Sequence, residues 1–162
     1  MENIFNLDPA TADILLKLFL SMLFGMIIGV ERLFAHKTAS MRTYAMVSMG
    51  AALFTMISEI MVTHYLAINP DAVNPLFMPA QIISGIGFLG AGLIIFKDSK
   101  LSGITTASSL WVSAGIGLAT GFGLFKLASV ATLFTLFIFI VLWFVEQRLK
   151  KTNLFNKLDD DN

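Results

Sequence analysis

Apolar residues fall in five long blocks, Ile14 to Val30, Thr43 to Leu66, Pro79 to Phe96, Ile104 to Leu124 and Leu127 to Val145, separated by short polar stretches. Even the shortest is long enough for a helix to cross a hydrocarbon core of about 30 Å. The pattern predicts an all-α, polytopic membrane protein of five transmembrane helices, with a membrane domain over 1–145 and a short charged tail over 146–162. Asp8-Pro9 reads as a helix N-cap followed by proline at the first helical position, so the first helix starts ahead of its apolar core. Asn69-Pro70-Asp71 and Asn74-Pro75 part the second helix from the third. Gly121 to Gly123 and Lys126 part the fourth from the fifth.

Composition agrees. Of 162 residues, 56% are hydrophobic and 14% charged, against about 25% charged in soluble domains. The net charge is zero, so the placement of the charges carries the information. Arg32, Lys37 and Arg42 follow the first block, Lys97 and Lys100 the third, and Arg148, Lys150, Lys151 and Lys157 the fifth. Only Lys17 and Lys126 fall on the other side. Basic residues collect on the cytoplasmic side, which puts the N-terminus outside and the C-terminus in the cytoplasm. Met1-Glu2-Asn3 lacks the basic start of a signal peptide, so the first block is expected to remain in the mature protein. Lys17, near the outer end of its block, is expected to snorkel to the headgroups.

Helices associate in lipid through close contact, which small residues permit. Gly25 and Gly29, spaced four apart with Ser21 one turn earlier, mark such a face on the first helix. Ala80, Ser84, Gly87 and Ala91 mark one on the third, and Thr105, Ser109, Ser113, Gly117 and Gly121 one on the fourth. Gly85, Gly87 and Gly90 formally match a dinucleotide fingerprint, but no preceding strand or following acidic residue supports one, so they too are expected to pack. Phe134, Phe137, Phe139, Trp143 and Phe144 predict a lipid-facing fifth helix.

Few groups could carry chemistry. With no cysteine, no HExxH and no Gly-x-Ser-x-Gly motif, the sequence predicts neither an enzyme nor a cofactor, and nothing points to nucleic acid. Glu59 is the one acidic residue within a block and the only candidate metal ligand; nothing in the spans pairs with it. Glu31 ends the first helix and Arg42 opens the second, each unfavourable to its helix dipole. A Glu31–Arg42 clasp across the loop would correct both. Gln81 and Ser84, facing Thr105, Thr106, Ser108 and Ser109, could line a polar crevice.

Four motifs appear in order: Gly25-Met26-Ile27-Ile28-Gly29-Val30-Glu31-Arg32; Met41-Arg42-Thr43; Ala80 to Gly92; and Gly103-Ile104-Thr105-Thr106-Ala107-Ser108-Ser109-Leu110-Trp111. Together they resemble the MgtC/SapB family of bacterial membrane proteins, in a short form without the ACT-like soluble domain of longer members. The resemblance implies a multi-pass inner-membrane protein tied to low Mg²⁺, acid stress and virulence. It marks Glu31, Arg32, Arg42, Thr43, Gln81, Ser84, Thr105, Thr106, Ser109 and Trp111 as functional candidates. Some members carry Asn at the position of Thr105 and Arg at that of Ser102.

Two readings follow. In the first, the protein supports stress adaptation by binding and modulating other membrane proteins. In the second, it is a transporter or channel for Mg²⁺ or another small ion, alone or as a homo-oligomer.

Overall fold

The computed structural model describes residues 8–66, 74, 77–97 and 100–151. Its elements are α1 (Pro9–Phe34), α2 (Met41–Leu66), α3 (Phe77–Leu93), β1 (Ile95–Lys97), β2 (Lys100–Ser102), α4 (Ile104–Gly121) and α5 (Phe125–Lys151). The Asn69–Asp71 break, Asp98 and the tail beyond residue 151 lie outside the described residues. Among the described residues, α1, α2 and α5 are long and apolar enough to cross a membrane, and α3 is a shorter apolar helix.

Helix boundaries follow local chemistry. Asp8 caps α1 by accepting a hydrogen bond from the Thr11 amide at 3.2 Å, with Pro9 in the first turn, as the Asp8-Pro9 pair predicts. At the other end of α1, the His36 amide donates to the Leu33 carbonyl and the Lys37 amide to the Arg32 carbonyl. This paired closure needs a left-handed residue after the cap, and His36 supplies it at φ 53°. Gly123 closes α4 in the same way at φ 72°, where Gly123 and Leu124 donate to the Thr120 and Ala119 carbonyls.

One boundary differs from expectation. The third apolar block was expected to stay helical to Phe96, but α3 ends at Leu93 and Ile95–Lys97 pairs antiparallel with Lys100–Ser102. Gly103 makes the connection to α4 at φ 91°, and a Cβ there would sit 2.0 Å from the Leu93 carbonyl oxygen. Only glycine allows α4 to start that close to the end of α3.

The core lies where α1, α2 and α4 meet, with α3 and α5 packed on the outside of α4. Its contacts are between backbones. A Cβ at Gly25 would lie 2.4 Å from the Tyr44 carbonyl oxygen, and one at Gly29 would lie 2.5 Å from Met41 Cα. At Gly117 it would lie 2.0 Å from the Ser48 carbonyl oxygen, and at Gly121 2.7 Å from Thr55 Cβ. Gly90 touches Ala107 more loosely, at 3.7 Å. Gly85 and Gly87 were expected to pack as well, but a Cβ on either meets nothing within 4 Å. On α3 only Pro79 and Gly90 are buried, because the helix packs on one side only, against α4 and less extensively α2.

Polarity is distributed inside out relative to a water-soluble domain. Ser21, Ser48, Thr55, Ser113 and Thr120 are fully buried, whereas Phe88 is 81% and Phe134 64% exposed. Apolar surface outside and small hydroxyls inside is what a lipid solvent selects, since hydrocarbon gives no incentive to hide a leucine. Phe134, Phe137, Trp143 and Phe144 face outward as predicted, but Phe139 is buried.

Candidate functional site

Two polar clusters stand at opposite ends of α1. The first gathers Glu31, Arg32, Tyr44, Thr106, Ser109 and Ser113 where α1, α2 and α4 converge. Tyr44 is completely buried. Its hydroxyl meets the Ser109 hydroxyl closely and reaches the Thr106 carbonyl at 3.4 Å. Ser109 also donates to the Thr106 carbonyl at 3.0 Å, and Ser113 returns a bond from α4 to the Tyr44 carbonyl at 3.2 Å. A buried tyrosine hydroxyl needs a partner, and these bonds tie α2 to α4. The glycines Gly25 and Gly117 bring the three backbones close enough for the bonds to form.

Beside them, Arg32 is 5% exposed. Its Nε donates to the Glu31 carboxylate, and its guanidinium carbon lies 3.5 Å from the centroid of the Phe139 ring. A guanidinium seated over an aromatic face gains about 0.5–2 kcal/mol, more where water is excluded. This explains why Phe139 turns inward while its neighbours face out.

The expected clasp is absent. Glu31 pairs with Arg32, and Arg42 is exposed and makes no ion pair among the described residues. The cause is helical rotation. Tyr44 faces the core, and two residues turn a helix by about 200°, so Arg42 must point away. Thr43 is exposed as well. Likewise Thr106 and Ser109 face inward while Thr105 and Trp111 face outward, and Gln81 and Ser84 lie on the open side of α3. The proposed crevice between Gln81, Ser84 and the start of α4 is therefore split across faces. Of the ten candidate residues, only Glu31, Arg32, Thr106 and Ser109 come together. Tyr44 completes their cluster and was missed; the demand of an in-span tyrosine for a partner was the signal that pointed to it.

The second cluster corrects the expectation that nothing pairs with Glu59. Lys17, expected to reach for the headgroups, is held by neighbouring carboxylates. Its side chain is 13% exposed, pairs with Asp13 at 2.9 Å and approaches Glu59 at 3.9 Å. Glu59 is thus not alone. With Ile14, Met56, Ile60, Thr63 and His64 these groups line an open cavity of about 640 Å³ between α1 and α2. Asp13 and Lys17 are four residues apart, a spacing at which helical side chains meet. Among the described residues no three His, Asp or Glu side chains lie close enough together to hold a metal ion.

Comparison with known proteins bears on what these clusters belong to. The chain is 41% identical to Protein SapB of Bacillus subtilis (strain 168) over 131 residues, covering 80% of this chain and 55% of that one. It is 42% identical to Protein MgtC of Salmonella typhimurium (strain LT2) over 137 residues, covering 85% and 55%. It is 33% identical to "Putative magnesium transporter YhiD" of Escherichia coli (strain K12) over 143 residues, covering 88% and 66%. The chain thus spans between half and two thirds of the length of these relatives. No solved structure gives a significant match. The MgtC family pattern matches residues 18–148, which takes in the first cluster, the α2 side of the second and all or most of each of the five helices, and the chain belongs to the MgtC family.

Proposed function

We propose that this chain is a multi-pass protein of the bacterial inner membrane that works by binding and modulating other membrane proteins, in support of adaptation to low magnesium, acid or host stress. All five helices cross the bilayer in this reading, with the N-terminus outside and the C-terminus in the cytoplasm. The observation that carries it is the closed centre. Helices α1, α2 and α4 meet backbone to backbone at Gly25, Gly117 and Gly121, which leaves no room for a hydrated ion at the level of these contacts. Meanwhile Arg42, Thr43, Gln81, Ser84, Thr105 and Trp111 are turned outward, where a partner can reach them.

A second reading, transport of Mg²⁺ or another small ion, draws support from the name of the Escherichia coli relative and from the two carboxylates around Lys17. In a homo-oligomer such a path would run between chains.

The deciding experiment is Mg²⁺ flux into vesicles reconstituted with the purified chain, beside empty vesicles. Photo-crosslinking from Gln81 and Ser84 in intact cells runs in parallel, with Phe134 as the lipid-facing control. No flux above background, together with a discrete adduct from Gln81 or Ser84 but not from Phe134, supports partner binding. Protein-dependent uptake would overturn it in favour of transport.

A further inference from the structure

The cavity between the start of α1 and the end of α2 carries an unbalanced charge. Lys17 lies 2.9 Å from Asp13 and 3.9 Å from Glu59, and neither carboxylate has another partner among the described residues. With His64 neutral, two carboxylates thus face one ammonium. Their exposure differs in the same sense. The Lys17 side chain is sunk, whereas those of Asp13 and Glu59 are 52% and 53% exposed. A ligand entering the cavity therefore meets carboxylate oxygens, and the one cation there is already engaged.

That arrangement selects among ligands. An anion is repelled by the groups it reaches first. A metal ion finds no set of three His, Asp or Glu side chains among the described residues, and Lys17 already sits against both carboxylates. A quaternary ammonium is held by the faces of aromatic rings, and no Phe, Tyr or Trp lines the cavity. A primary ammonium suits the site. Its N–H groups donate to carboxylates in short, charge-assisted bonds, and its charge balances the cluster.

The walls add a second requirement. Ile14, Met56 and Ile60 give the cavity apolar sides, and Ile14 and Ile60 are exposed at its edge, so the ligand carries hydrocarbon as well as charge. The volume, about 640 Å³, falls within the range of small-molecule sites, about 300–1,000 Å³. Depth agrees. The 26 residues of α1, at about 1.5 Å each, come close to the thickness of a bilayer with its headgroups, about 40–45 Å. Asp13 and Lys17 lie in the first three turns of α1, and Glu59 and His64 in the last three of α2. That is the level at which headgroups give way to acyl chains.

We infer that this cavity binds an amino-phospholipid of the phosphatidylethanolamine type, with its primary ammonium on Asp13 and Glu59, its phosphate at the open mouth and its acyl chains along Ile14 and Ile60. This rests on the reading in which α1 and α2 cross the bilayer. It is independent of whether the protein binds partners or moves ions.

The purified full chain in detergent micelles is titrated with phosphatidylethanolamine, phosphatidylcholine or phosphatidylglycerol of matched acyl chains, and retained lipid is counted by native mass spectrometry. Phosphatidylethanolamine should be retained about tenfold better than phosphatidylcholine, which has the charge but no N–H, as expected for one charge-assisted hydrogen bond. Glu59→Gln keeps the closer Asp13–Lys17 pair and should remove most of that preference. Ile60→Trp keeps every charge, narrows the cavity and should lower retention of phosphatidylethanolamine; it decides the matter if circular dichroism shows Glu59→Gln to be misfolded. Equal retention of phosphatidylethanolamine and phosphatidylcholine overturns the inference, as does a preference unchanged in both variants. Ethanolamine in solution binding as tightly as the lipid would overturn the lipid assignment in favour of a water-borne amine, and Mg²⁺ displacing the lipid would reassign the site to a metal ion. Flotation with vesicles is scored separately. A chain that does not float refutes the membrane reading, whereas one that floats but shows no preference for phosphatidylethanolamine refutes this site alone.

Discussion

Adding one methyl group at Gly117 tests the packing on which the rest depends. Its Cβ would lie 2.0 Å from the Ser48 carbonyl oxygen and 2.7 Å from the carbonyl carbon, where ordinary contact begins at 3.4 Å. Backbone cannot swing aside as a side chain can, so α2 and α4 must part by about 1.4 Å. The Ser113 bond to the Tyr44 carbonyl, at 3.2 Å, and both Tyr44 hydroxyl contacts lie one to two turns away and would break or stretch. Interhelical hydrogen bonds average about 0.6 kcal/mol in a membrane protein, and overpacking costs about 1–3 kcal/mol. Alanine returns up to about 1 kcal/mol in helix propensity. The balance for Gly117→Ala is a loss of about 2–4 kcal/mol. Gly115→Ala is the internal control, because a Cβ there meets nothing within 4 Å. It keeps the propensity gain without the clash and should be neutral or stabilising by up to about 1 kcal/mol. Equilibrium unfolding in mixed micelles, titrated with a denaturing detergent and followed by far-UV circular dichroism, measures both. Equal midpoints for the two variants would refute the backbone contact between α2 and α4.

Arg32→Lys keeps the charge but loses the flat stack on Phe139. It should destabilise by about 1–2 kcal/mol, and Phe139→Leu should add little to it in a double-mutant cycle run in the same micelles. At the other cluster, Lys17 lies 2.9 Å from Asp13 and 3.9 Å from Glu59. Asp13→Asn should therefore lower the detergent-unfolding midpoint more than Glu59→Gln, and the reverse order would contradict the pairing. Ser48 is buried and its hydroxyl has no partner among the described residues, so Ser48→Ala should be neutral or stabilising. Ser113→Ala, which removes a bond between helices, should cost about 0.6–1.7 kcal/mol.

What could be read from the sequence was local. Asp8-Pro9 announces the start of α1 and Gly121 to Gly123 the end of α4, because caps depend on a few adjacent residues. The Gly25/Gly29 and Ser109/Ser113/Gly117/Gly121 spacings mark faces that meet other helices, because a close approach leaves a periodic trace. Rotation about the helix axis was harder. Arg42 and Tyr44 are two positions apart, and the seats of Gly25 on Tyr44, Gly29 on Met41 and Gly117 on Ser48 go with Tyr44 on the inside. The α3 small residues Ala80, Ser84, Gly87 and Ala91 recur at helical spacing as those of α1 do, yet α3 packs on one side only and leaves Gly85 and Gly87 open. Lys17 was read against lipid alone; its pairing with Asp13 and Glu59 depends on a second helix. Phe139 was grouped with its aromatic neighbours because its partner, Arg32, lies more than a hundred residues away in sequence.

The buried hydroxyls also bear on how a polar interior in such a protein should be interpreted. A line of serine and threonine through the centre of a membrane bundle invites interpretation as a pathway. Here most of those groups are satisfied within their own helix: Thr55 donates to the Ala51 carbonyl at 2.7 Å, Thr120 to Ile116 at 2.8 Å, Thr132 to Ala128 at 2.8 Å and Thr135 to Ala131 at 2.7 Å. A hydroxyl returned to the preceding turn presents a compact side chain to its neighbour and asks nothing of it. It therefore acts much as glycine does, by letting backbones approach. Among the buried hydroxyls of the described residues, those of Tyr44, Ser109 and Ser113 form hydrogen bonds across helices, and they sit where α1, α2 and α4 already touch. Ser48 is the exception that fits the rule. The Tyr44 carbonyl, its natural partner one turn back, already accepts from Ser113 and faces Gly25. The polar residues at the centre are thus accounted for by packing, and the surface of α3, the cavity between α1 and α2 and the outward side of α4 are where contacts beyond the chain should be sought.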